Sequence, residues 1–466
     1  MTPAHLCALS EAEPAVFWLD SADAPRARPA LTGAHTADLV VVGGGFTGLW
    51  TALIAREENP SREVVLIEAE TVAFGASGRN GGFVDASLTH GLRNGLRHFG
   101  DEVGTLGRLG HENLAAIGET VARLGIDARL ERPGVLVVAT EAHQVAELAE
   151  EAALLRAHGE DVELLDAGAA RELVDSPTYL AGLVQRSGQA LVDPARLAWG
   201  LRAAVIAAGV RVYERTRATR LRDEGASVLV ECEFGSIRAG SVVLATAAFV
   251  PLVRAIRRYV VPVYDYALVT EPLSHAQRDA VGWQGRHGVA DAGNQFHYYR
   301  LTADDRILWG GYDAVYHFGG DVGPQRDHRA QTYELLARQF LDTFPQLAGI
   351  RFTHRWGGAI DTCSRFCAMW GTAHGGRVAY AVGYTGLGVA ASRFGARVAL
   401  DLVDRRDTER TRLRMVRRRP LPFPPEPLRW AGIELTRRSL AAADRGGGRR
   451  NLWLRALDRV GMGFDS

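Results

Sequence analysis

The chain has 466 residues, of which 47% are hydrophobic and 23% charged, and its 54 basic and 54 acidic side chains give a net charge of zero. These values are typical of a globular protein with two or three domain-sized units, and they argue against recruitment by nucleic acid or an anionic membrane. Every one of the 54 basic side chains is arginine. The absence of lysine excludes a Schiff base with pyridoxal phosphate and a P-loop lysine.

The four cysteines are too few for a disulfide framework in a chain of this length. Cys363 and Cys367 have no second Cys/His pair beside them at zinc spacing, so no metal site is predicted. The N-terminal stretch has neither the basic nor the apolar region of an export signal, and no apolar run reaches the length of a membrane span. We therefore expect a cytoplasmic protein.

Residues 1–36 lack apolar periodicity and are predicted to be an N-terminal arm. After the arm, hydrophobic patterning and turn signals predict the following elements in chain order: strand Leu39–Val42, helix Gly48–Glu58, strand Glu63–Glu68, strand Gly134–Ala139 within a mostly helical region 110–160, helix 194–208, strands Val210–Tyr213, Ser227–Cys232 and Ser241–Ala245, a strand-rich aromatic region 253–350 with a helix near 329–342, strand Val378–Val382, and helix Gly388–Val403.

The same strand–helix style appears at both ends and in the middle of the chain. It predicts an α/β fold with a Rossmann-like nucleotide-binding domain assembled from segments 37–100, 190–252 and 352–405. An inserted α+β substrate domain with a mixed sheet is expected from 101–189 and 253–351. The tail, 406–466, is rich in Arg and contains PLPFPPEPLRW, whose prolines forbid a regular helix there. This tail could wrap the body, form an oligomer contact or remain solvated.

The first predicted strand runs into a Gly-x-Gly-x-x-Gly turn at Gly43, Gly45 and Gly48, with Phe46 and Thr47 between the last two. Such glycines permit a tight turn, close approach of the backbone to a pyrophosphate and close packing of the following helix. The helix N-terminus then offers free N–H groups to phosphate. Glu68 follows about 20 residues further on, where an acid binds a ribose hydroxyl pair. The dinucleotide could be NAD or FAD.

Two further glycine-rich stretches favour FAD. FGASGRNGGFV, residues 74–84, follows Glu68 before a second crossover helix could form. We expect its Ser77 to bond phosphate, its Arg79 to neutralise phosphate or face the flavin ring, and Asn80 and Gly81 to lie near the flavin. VGYTGLGV near the C-terminal strand can place helix N–H groups against a flavin carbonyl. The remaining predicted cofactor residues are Gly75, Gly82, Thr246, Gly383, Tyr384, Thr385, Gly386, Leu387 and Gly388.

With these motifs the chain resembles the D-amino acid oxidase and glycine oxidase superfamily of FAD enzymes over most of residues 15–405. The motifs that carry the resemblance are VVVGGGFTGL, GASGRNGG, LVDPARLAWGLRAAVIAAGVRVYERTRATRL, SVVLATAAFVP and VGYTGLGV. Within it, Phe17-Trp18-Leu19 and YYRLTADDRILWGGYD look most like γ-glutamylputrescine oxidase relatives. The resemblance implies oxidation of an amine C–N bond to an imine and hydrolysis to an aldehyde and an amine. Dioxygen then reoxidises the flavin and gives hydrogen peroxide.

Two departures bear on the substrate. Glycine-oxidase-like members often carry Trp-x-Gly-x-Arg, whose arginine holds the substrate carboxylate, and Ile360 stands at that arginine's place here. This favours an amine, or an acid group bound elsewhere. Sarcosine-oxidase-like members use a lysine near the flavin for oxygen chemistry, and this chain has none, so Arg or His could substitute or another electron acceptor could serve. Some relatives bind flavin covalently through cysteine; Cys363 is a candidate, but we expect non-covalent FAD.

The candidate substrate-site residues lie in the aromatic region. Tyr264 and Tyr266 share one strand face, as do Tyr298 and Arg300, and such pairs place two side chains together. We predict Tyr298 and Arg300 as catalytic and Tyr264, Tyr266, His297 and Trp356 as substrate-binding residues. The alternatives are ordinary sheet tyrosines, a structural histidine, core packing for Trp356, and a salt bridge from Arg300 to Asp304, Asp305 or Asp313.

Three functions remain open. The first is an FAD-dependent amine oxidase of the γ-glutamylputrescine type, with a small amine and dioxygen or another acceptor as partners. The second is an amino acid or N-methyl amino acid oxidase or dehydrogenase. The third is a flavin-binding subunit without turnover of its own, for which the Arg-rich tail would supply a partner or oligomer contact.

Overall fold

The computed structural model describes residues 3–462, so the first two residues of the predicted arm and the last four of the predicted tail lie outside it. Its strands are β1 Gly33–Val42, β2 Val64–Ile67, β3 Phe83–Asp85, β4 Val135–Ala139, β5 Val162–Asp166, β6 Ala181–Gln185, β7 Gln189–Leu191, β8 Arg211–Tyr213, β9 Ala218–Asp223, β10 Val228–Cys232, β11 Gly235–Leu244, β12 Val260–Thr270, β13 Gly288–Asp291, β14 His297–Leu301, β15 Ile307–Gly311, β16 Val315–Tyr316, β17 Phe352–Cys363, β18 Met369–Ala373 and β19 Val378–Val382.

The α-helices surround these strands. They are α1 Ala4–Ala8, α2 Phe46–Glu58, α3 Ala76–Arg79, α4 Leu92–Phe99, α5 Val103–Arg123, α6 Ala142–Ala157, α7 Ala167–Leu173, α8 Pro194–Ala207, α9 His275–Val281, α10 Ala330–Thr343, α11 Gly388–Val403, α12 Glu409–Arg412, α13 Arg414–Arg417, α14 Leu428–Arg445 and α15 Leu452–Arg459.

The first sheet has the strand order β18-β19-β11-β1-β2-β8, with β10 and β9 added antiparallel beside β11. Its central neighbours β19, β11, β1, β2 and β8 are parallel. The buried segments of these strands are almost wholly apolar, as VVLI in β2 and VAYAV in β19 illustrate, because both faces of the parallel sheet are covered, one by helices and the other by β9 and β10. Helices α2, α8 and α11 pack together against one face. The carboxyl ends of β1, β11 and β19 therefore meet at one edge.

The second sheet is mixed and has the order β16-β12-β15-β14-β13-β4-β6-β5, with β17 paired to β12 along its length. Its strands come from two separate parts of the chain, β4–β6 and β12–β17, and α10 packs against β12. Strands β3 and β7 form a third, two-stranded antiparallel sheet. The predicted α/β class, with a discontinuous Rossmann-like sheet and an inserted mixed sheet, is confirmed.

Most predicted elements lie close to observed ones. The strand Val378–Val382 and the helix Gly388–Val403 have the predicted bounds, and α8 begins at Pro194 after an Asp193 N-cap whose side chain accepts from the Arg196 N–H. β1 is longer than predicted because its polar first half pairs with β11. In the tail the proline-rich stretch is non-helical, but two helices that the sequence reading missed, α14 and α15, follow it.

A buried ion pair connects the N-terminal arm to the first sheet. The Arg202 guanidinium on α8 donates to the Glu214 carboxylate at 2.7 Å and to the Arg26 carbonyl. Glu214 also accepts from the backbone N–H groups of Arg28 and Val72. Because Arg202 is the cation that pairs with the buried Glu214 carboxylate, removing it leaves a buried charge without compensation.

Arg202→Met should therefore lower the free energy of unfolding by about 3–5 kcal/mol. The matched control is Arg211→Met, whose bridge to Glu63 is exposed and should be worth less than about 1 kcal/mol. Urea unfolding followed by circular dichroism measures both. Equal losses for the two variants would contradict the role given to the buried pair.

Candidate functional site

The first glycine turn joins β1 to α2 at the carboxyl edge of the sheet. Gly43 has φ +114°, and a Cβ placed there would lie 2.4 Å from the Ala245 carbonyl oxygen that follows β11. A Cβ on Gly48 would lie 1.9 Å from the Gly43 carbonyl oxygen. Only glycine fits at either position. The turn therefore brings the N-terminus of α2, with its free N–H groups and positive dipole end, to the edge of a large cavity.

Glu68 follows β2 and lines the same cavity. Its carboxylate accepts from the Gly44 backbone N–H at 2.6 Å and from the Glu70 N–H at 2.9 Å. Burial raises the pKa of Glu68, and the two backbone N–H groups act against that rise. The side chain is thus fixed in orientation beside the glycine turn, at the place where a ribose-binding acid is expected.

The second glycine stretch sits directly on the N-terminus of α2. The Ser77 hydroxyl accepts from the Phe46 backbone N–H at 2.9 Å. Asn80 bonds within the loop, donating to the Ala76 and Ser77 carbonyls and accepting from the Gly82 N–H. The loop is therefore a compact turn whose side chains hold their own backbone in place, and it is not a linker.

Arg79 has internal partners, which differs from the predicted phosphate or flavin contact. Its guanidinium donates to the Asp327 carboxylate at 2.7 Å and to the Gly357 and Phe74 carbonyls. Its charge is met by Asp327, so the side chain connects the glycine loop to the second sheet while its residue still lines the cavity.

The third glycine stretch lies between β19 and α11. The Gly383 N–H donates to the Asp361 carboxylate at 2.6 Å, and the Thr385 N–H donates to the Asp361 carbonyl. Burial raises the pKa of Asp361 to about 7. The Thr47 hydroxyl of α2 donates to the Tyr384 hydroxyl at 3.0 Å. The first and third glycine stretches are therefore bonded to each other across the same edge of the sheet.

The cavity that these stretches border has a volume of about 2420 Å³, well above the range of about 300–1,000 Å³ that is usual for a small-molecule site. The predicted cofactor residues that line it are Gly43, Gly45, Phe46, Thr47, Glu68, Gly75, Ser77, Arg79, Asn80, Gly81, Thr246, Tyr384, Thr385, Gly386, Leu387 and Gly388. Gly48, Gly82 and Gly383 do not line the cavity. At each of these three a Cβ would come within 3.1 Å of neighbouring atoms, so they serve close packing behind the wall.

An FAD-sized group fits these residues. Within residues 3–462 the buried Thr246 hydroxyl, on the cavity wall, has no hydrogen-bond partner, as expected of a group whose partner is a ligand. A Cβ on Gly45 would lie 2.9 Å from the Ser77 hydroxyl oxygen, so the backbone there is open only because the residue is glycine. The large cavity, the helix N-terminus and the fixed Glu68 match the pyrophosphate and ribose of a dinucleotide.

Four of the six predicted substrate-site residues line the far end of the cavity: Tyr264, Tyr266, Tyr298 and Trp356. The Tyr264 hydroxyl accepts from the Gly323 N–H at 3.1 Å, and the Tyr266 hydroxyl donates to the Arg326 carbonyl at 2.8 Å. The Trp356 indole N–H donates to the Arg79 carbonyl. These rings are held at their polar ends. Tyr264 and Tyr266 pack in the core beside α10, on the face of β12 opposite Trp356, so only the edge of that core borders the cavity.

His297 and Arg300 are not on the cavity wall, which corrects their predicted roles. His297 pairs through Nδ1 with Asp291 at 2.6 Å and through Nε2 with Gln339, and its ring stacks against Trp309. These contacts match the alternative role given in the sequence analysis, that of a structural histidine.

Arg300 donates to the carbonyls of Val192, Gly82 and Leu301, and burial lowers its pKa to about 10. The acids proposed as its partners pair elsewhere: Asp304 with Arg306, Asp305 with Arg278, and Asp313 with Arg329. Arg300 therefore holds the backbone of the second glycine loop against the chain at Val192. This geometry supports a positioning role for Arg300, without contact to substrate.

Asp265 was missed by the sequence reading. It lies between Tyr264 and Tyr266 on β12, lines the cavity, and accepts from the Tyr298 hydroxyl at 2.6 Å. Burial raises the pKa of Asp265 to about 6. The signal was present in PVYDYALVT, where one charged residue interrupts an otherwise apolar and aromatic strand. Strand alternation points it to the face opposite the two tyrosines.

The tail also reaches the cavity. Ile433, Thr436 and Leu440 of α14 line it. The Asp444 carboxylate accepts from the backbone N–H groups of Asn294 and Gln295, which fixes the helix to the loop between β13 and β14. α14 is thus part of the wall of the cavity.

Comparison with known proteins agrees with this site. The chain matches the family described as FAD dependent oxidoreductase, DAO, over residues 38–402. It is 34% identical over 385 residues to the gamma-glutamylputrescine oxidoreductase of Escherichia coli K12, covering 80% of this chain and 85% of that protein. It is 28% identical over 399 residues to the probable oxidoreductase OrdL of Haemophilus influenzae, covering 83% and 87%. The chain belongs to the DAO family and is an FAD-dependent oxidoreductase.

Solved structures share the fold. Glycine oxidase from Geobacillus kaustophilus superimposes with a TM-score of 0.67 at 21% identity, covering 80% of this chain and 96% of that one. L-proline dehydrogenase from P. horikoshii superimposes with a TM-score of 0.66 at 18% identity, covering 82% and 96%. The predicted fold, family and cofactor are confirmed. No helix described between residues 3 and 462 is long and apolar enough to cross a membrane, and no group of metal-ligating side chains occurs in the same range.

Gly45→Val should abolish FAD retention, because the added side chain would collide with the Ser77 hydroxyl and project from the N-terminus of α2 into the cavity. The control is Gly104→Val on α5, where a Cβ meets nothing within 4 Å. The ratio of flavin to protein absorbance after purification measures retention. A Gly45→Val protein with a full complement of FAD would show that the cofactor does not approach this turn.

Flavin should be released by acid precipitation, because Cys363 is already engaged. Its thiol donates to the Cys367 carbonyl at 3.0 Å, and burial raises its pKa, so the reactive thiolate is disfavoured. We expect yellow supernatant from both the natural protein and Cys363→Ser. A yellow pellet that becomes colourless only in Cys363→Ser would establish the covalent bond instead.

Proposed function

We propose that this protein oxidises an amine C–N bond to an imine, as a γ-glutamylputrescine oxidase-like enzyme. The observation that carries the proposal is the composition of the cavity wall beyond the cofactor residues. Val263, Trp356 and Ile360 present apolar side chains on the sheet face that meets the cofactor residues, and Ile360 stands where an arginine could hold an α-carboxylate. The 34% identical relative named as a gamma-glutamylputrescine oxidoreductase supports an amine donor.

The chain's own residues would perform two tasks. The glycine turns, Glu68 and Thr246 would hold FAD along the edge of the first sheet. Trp356, Ile360 and Tyr298 would orient the donor carbon and exclude water, because removal of a hydride from a neutral amine requires a dry, aligned pocket. FAD, when bound, supplies the two-electron oxidant. The proposed products are an imine, which water hydrolyses to an aldehyde and an amine or ammonia, and hydrogen peroxide when dioxygen takes the electrons.

A second candidate is oxidation of an amino acid or N-methyl amino acid. It is favoured by a 26% identical glycine oxidase of Geobacillus kaustophilus and a 23% identical sarcosine oxidase subunit beta of Rhodobacter capsulatus. Because that relative is named as a subunit, a third candidate is a flavin-binding subunit that does not itself oxidise a substrate. The substrate end of the cavity is complete and largely apolar, which argues against the third candidate. Ile360 stands in the place of an arginine that would hold an α-carboxylate, which argues against the second.

The test is anaerobic titration of the flavin with γ-glutamylputrescine, putrescine and simple alkylamines, and in parallel with glycine, sarcosine, proline and D-amino acids. We expect amines to bleach the flavin and α-amino acids to leave it oxidised. In air, the same amines should give peroxide that catalase removes. Bleaching by α-amino acids alone would establish the second candidate, and bleaching by none of these compounds would favour the subunit without turnover. Bleaching without peroxide would identify a dehydrogenase.

A further inference from the structure

We propose that Asp265 binds the ammonium group of the substrate, so that the enzyme selects cationic amines by charge. This inference rests on the proposed oxidation of amines and names the group that would recognise them. The chemical class it specifies is an alkylammonium ion whose neighbouring carbon chain lies against Trp356 and Ile360.

Strand register places Asp265 on the cofactor-facing side of the second sheet. In β12 and β17, Ala267 is paired with Trp356, Asp265 with Gly358, and Val263 with Ile360. Directly paired residues of antiparallel strands share one face, so these six lie together. Gly310 of β15 is paired both with Ala267 and with Tyr298 of β14, which adds Tyr298 to the same face.

The second glycine loop lies against this face. A Cβ on Gly81 would come within 2.6 Å of the Tyr298 ring, and a Cβ on Gly358 would lie 3.3 Å from the Arg79 side chain. Asp265 is thus on the side of the sheet that meets the cofactor residues, at the substrate end of the cavity. The opposite side of β12 carries Tyr264 and Tyr266, which stack on each other.

Asp265 is held in place but not neutralised by the fold. It accepts from the Tyr298 hydroxyl at 2.6 Å and from the Tyr266 backbone N–H at 2.8 Å. Within residues 3–462 no arginine pairs with it, and Arg79, the arginine of the adjacent loop, pairs with Asp327. The other residues of its face are apolar, glycine or Tyr298. A carboxylate in such surroundings is costly unless a cation accompanies it.

The position of Asp265 and its lack of a pairing arginine both favour a bound cation at this carboxylate. Its two bonds, with a third from the Gly311 backbone N–H, fix the carboxylate and leave acceptor capacity on its oxygens, since an ionised carboxylate can accept about four hydrogen bonds. An alkylammonium ion offers the donor and the charge that the fold does not supply, and its carbon chain can lie against Trp356 and Ile360. The ammonium proton passes to the Asp265 carboxylate before the hydride leaves the neutral amine. An α-carboxylate at the same place would be repelled.

The test measures binding separately from turnover, with the FAD-loaded enzyme. The probe is tert-pentylamine, which is protonated at neutral pH and has no hydrogen on the carbon that bears nitrogen, so it cannot be oxidised to an imine. Its neutral isostere, tert-pentyl alcohol, is the paired probe. Asp265→Asn should raise the Kd for the amine tenfold or more, as expected for loss of a charge-assisted bond, and leave the Kd for the alcohol within about twofold. Perturbation of the flavin absorbance reports both constants.

Two further variants test the ammonium site without relying on Asp265→Asn alone. Ile360→Arg places a guanidinium on the same face, where it should pair with Asp265 and weaken amine binding to a similar degree. Asp304→Asn is the control, because that carboxylate pairs with Arg306 and does not line the cavity. It should bind both probes as the natural enzyme does.

The outcomes separate the two hypotheses. If amines bleach the flavin of the natural enzyme while Asp265→Asn and Ile360→Arg bind tert-pentylamine unchanged, the ammonium site is wrong and the amine oxidase stands. Equal losses for the amine and the alcohol would also overturn it, because they indicate a distorted pocket. If tert-pentylamine binding depends on Asp265 but no amine in the panel bleaches the flavin, the ammonium site stands and the proposed reaction fails.

Discussion

The contact between the Gly43 turn and the carbonyl that follows β11 determines the geometry of the site. β1 and β11 are parallel neighbours, so they end at one edge, and only a residue without Cβ allows their continuations to pass each other there. This approach sets where α2 begins. The start of α2 in turn sets the N–H that Ser77 accepts, and with it the position of the second glycine loop.

Segments that are distant in sequence meet around that loop. Trp356 of β17 donates to the Arg79 carbonyl, Arg79 pairs with Asp327, and Arg300 of β14 donates to the Gly82 carbonyl. The loop is therefore the joint between the cofactor sheet and the substrate sheet. This explains why two arginines that seemed suited to a ligand have protein partners: their charges and donors fix the relative position of the two sheets, on which the alignment of donor and cofactor depends.

What could be predicted from sequence followed from local rules. The turn at Gly43–Gly48, the acid at Glu68 and the buried strand Val378–Val382 depend on patterns within a few residues, and each was found. The environments of His297, Arg300 and Asp265 depend on cross-strand register and on partners in other elements, such as Gln339 for His297, Tyr298 for Asp265 and Val192, 108 residues away, for Arg300. Helix α14 was not predicted because the prolines of the tail argue against a helix there. The last of them, Pro427, is the residue directly before the helix.

The tail contributes to the cavity from outside the segment that matches the family. The family match ends at residue 402, and α14 lies beyond it, yet α14 supplies part of the cavity wall. Two charged residues of α14 line that wall: Arg437 pairs with Asp313 and Glu434, and Arg429 donates to the Pro424 and Arg257 carbonyls. The extension therefore changes the shape of the cavity, and both of its arginines there are held by protein acceptors. If Asp265 binds the substrate ammonium group as proposed, selection by charge belongs to that sheet face, whereas α14 limits the size of the donor, so the two properties can vary independently.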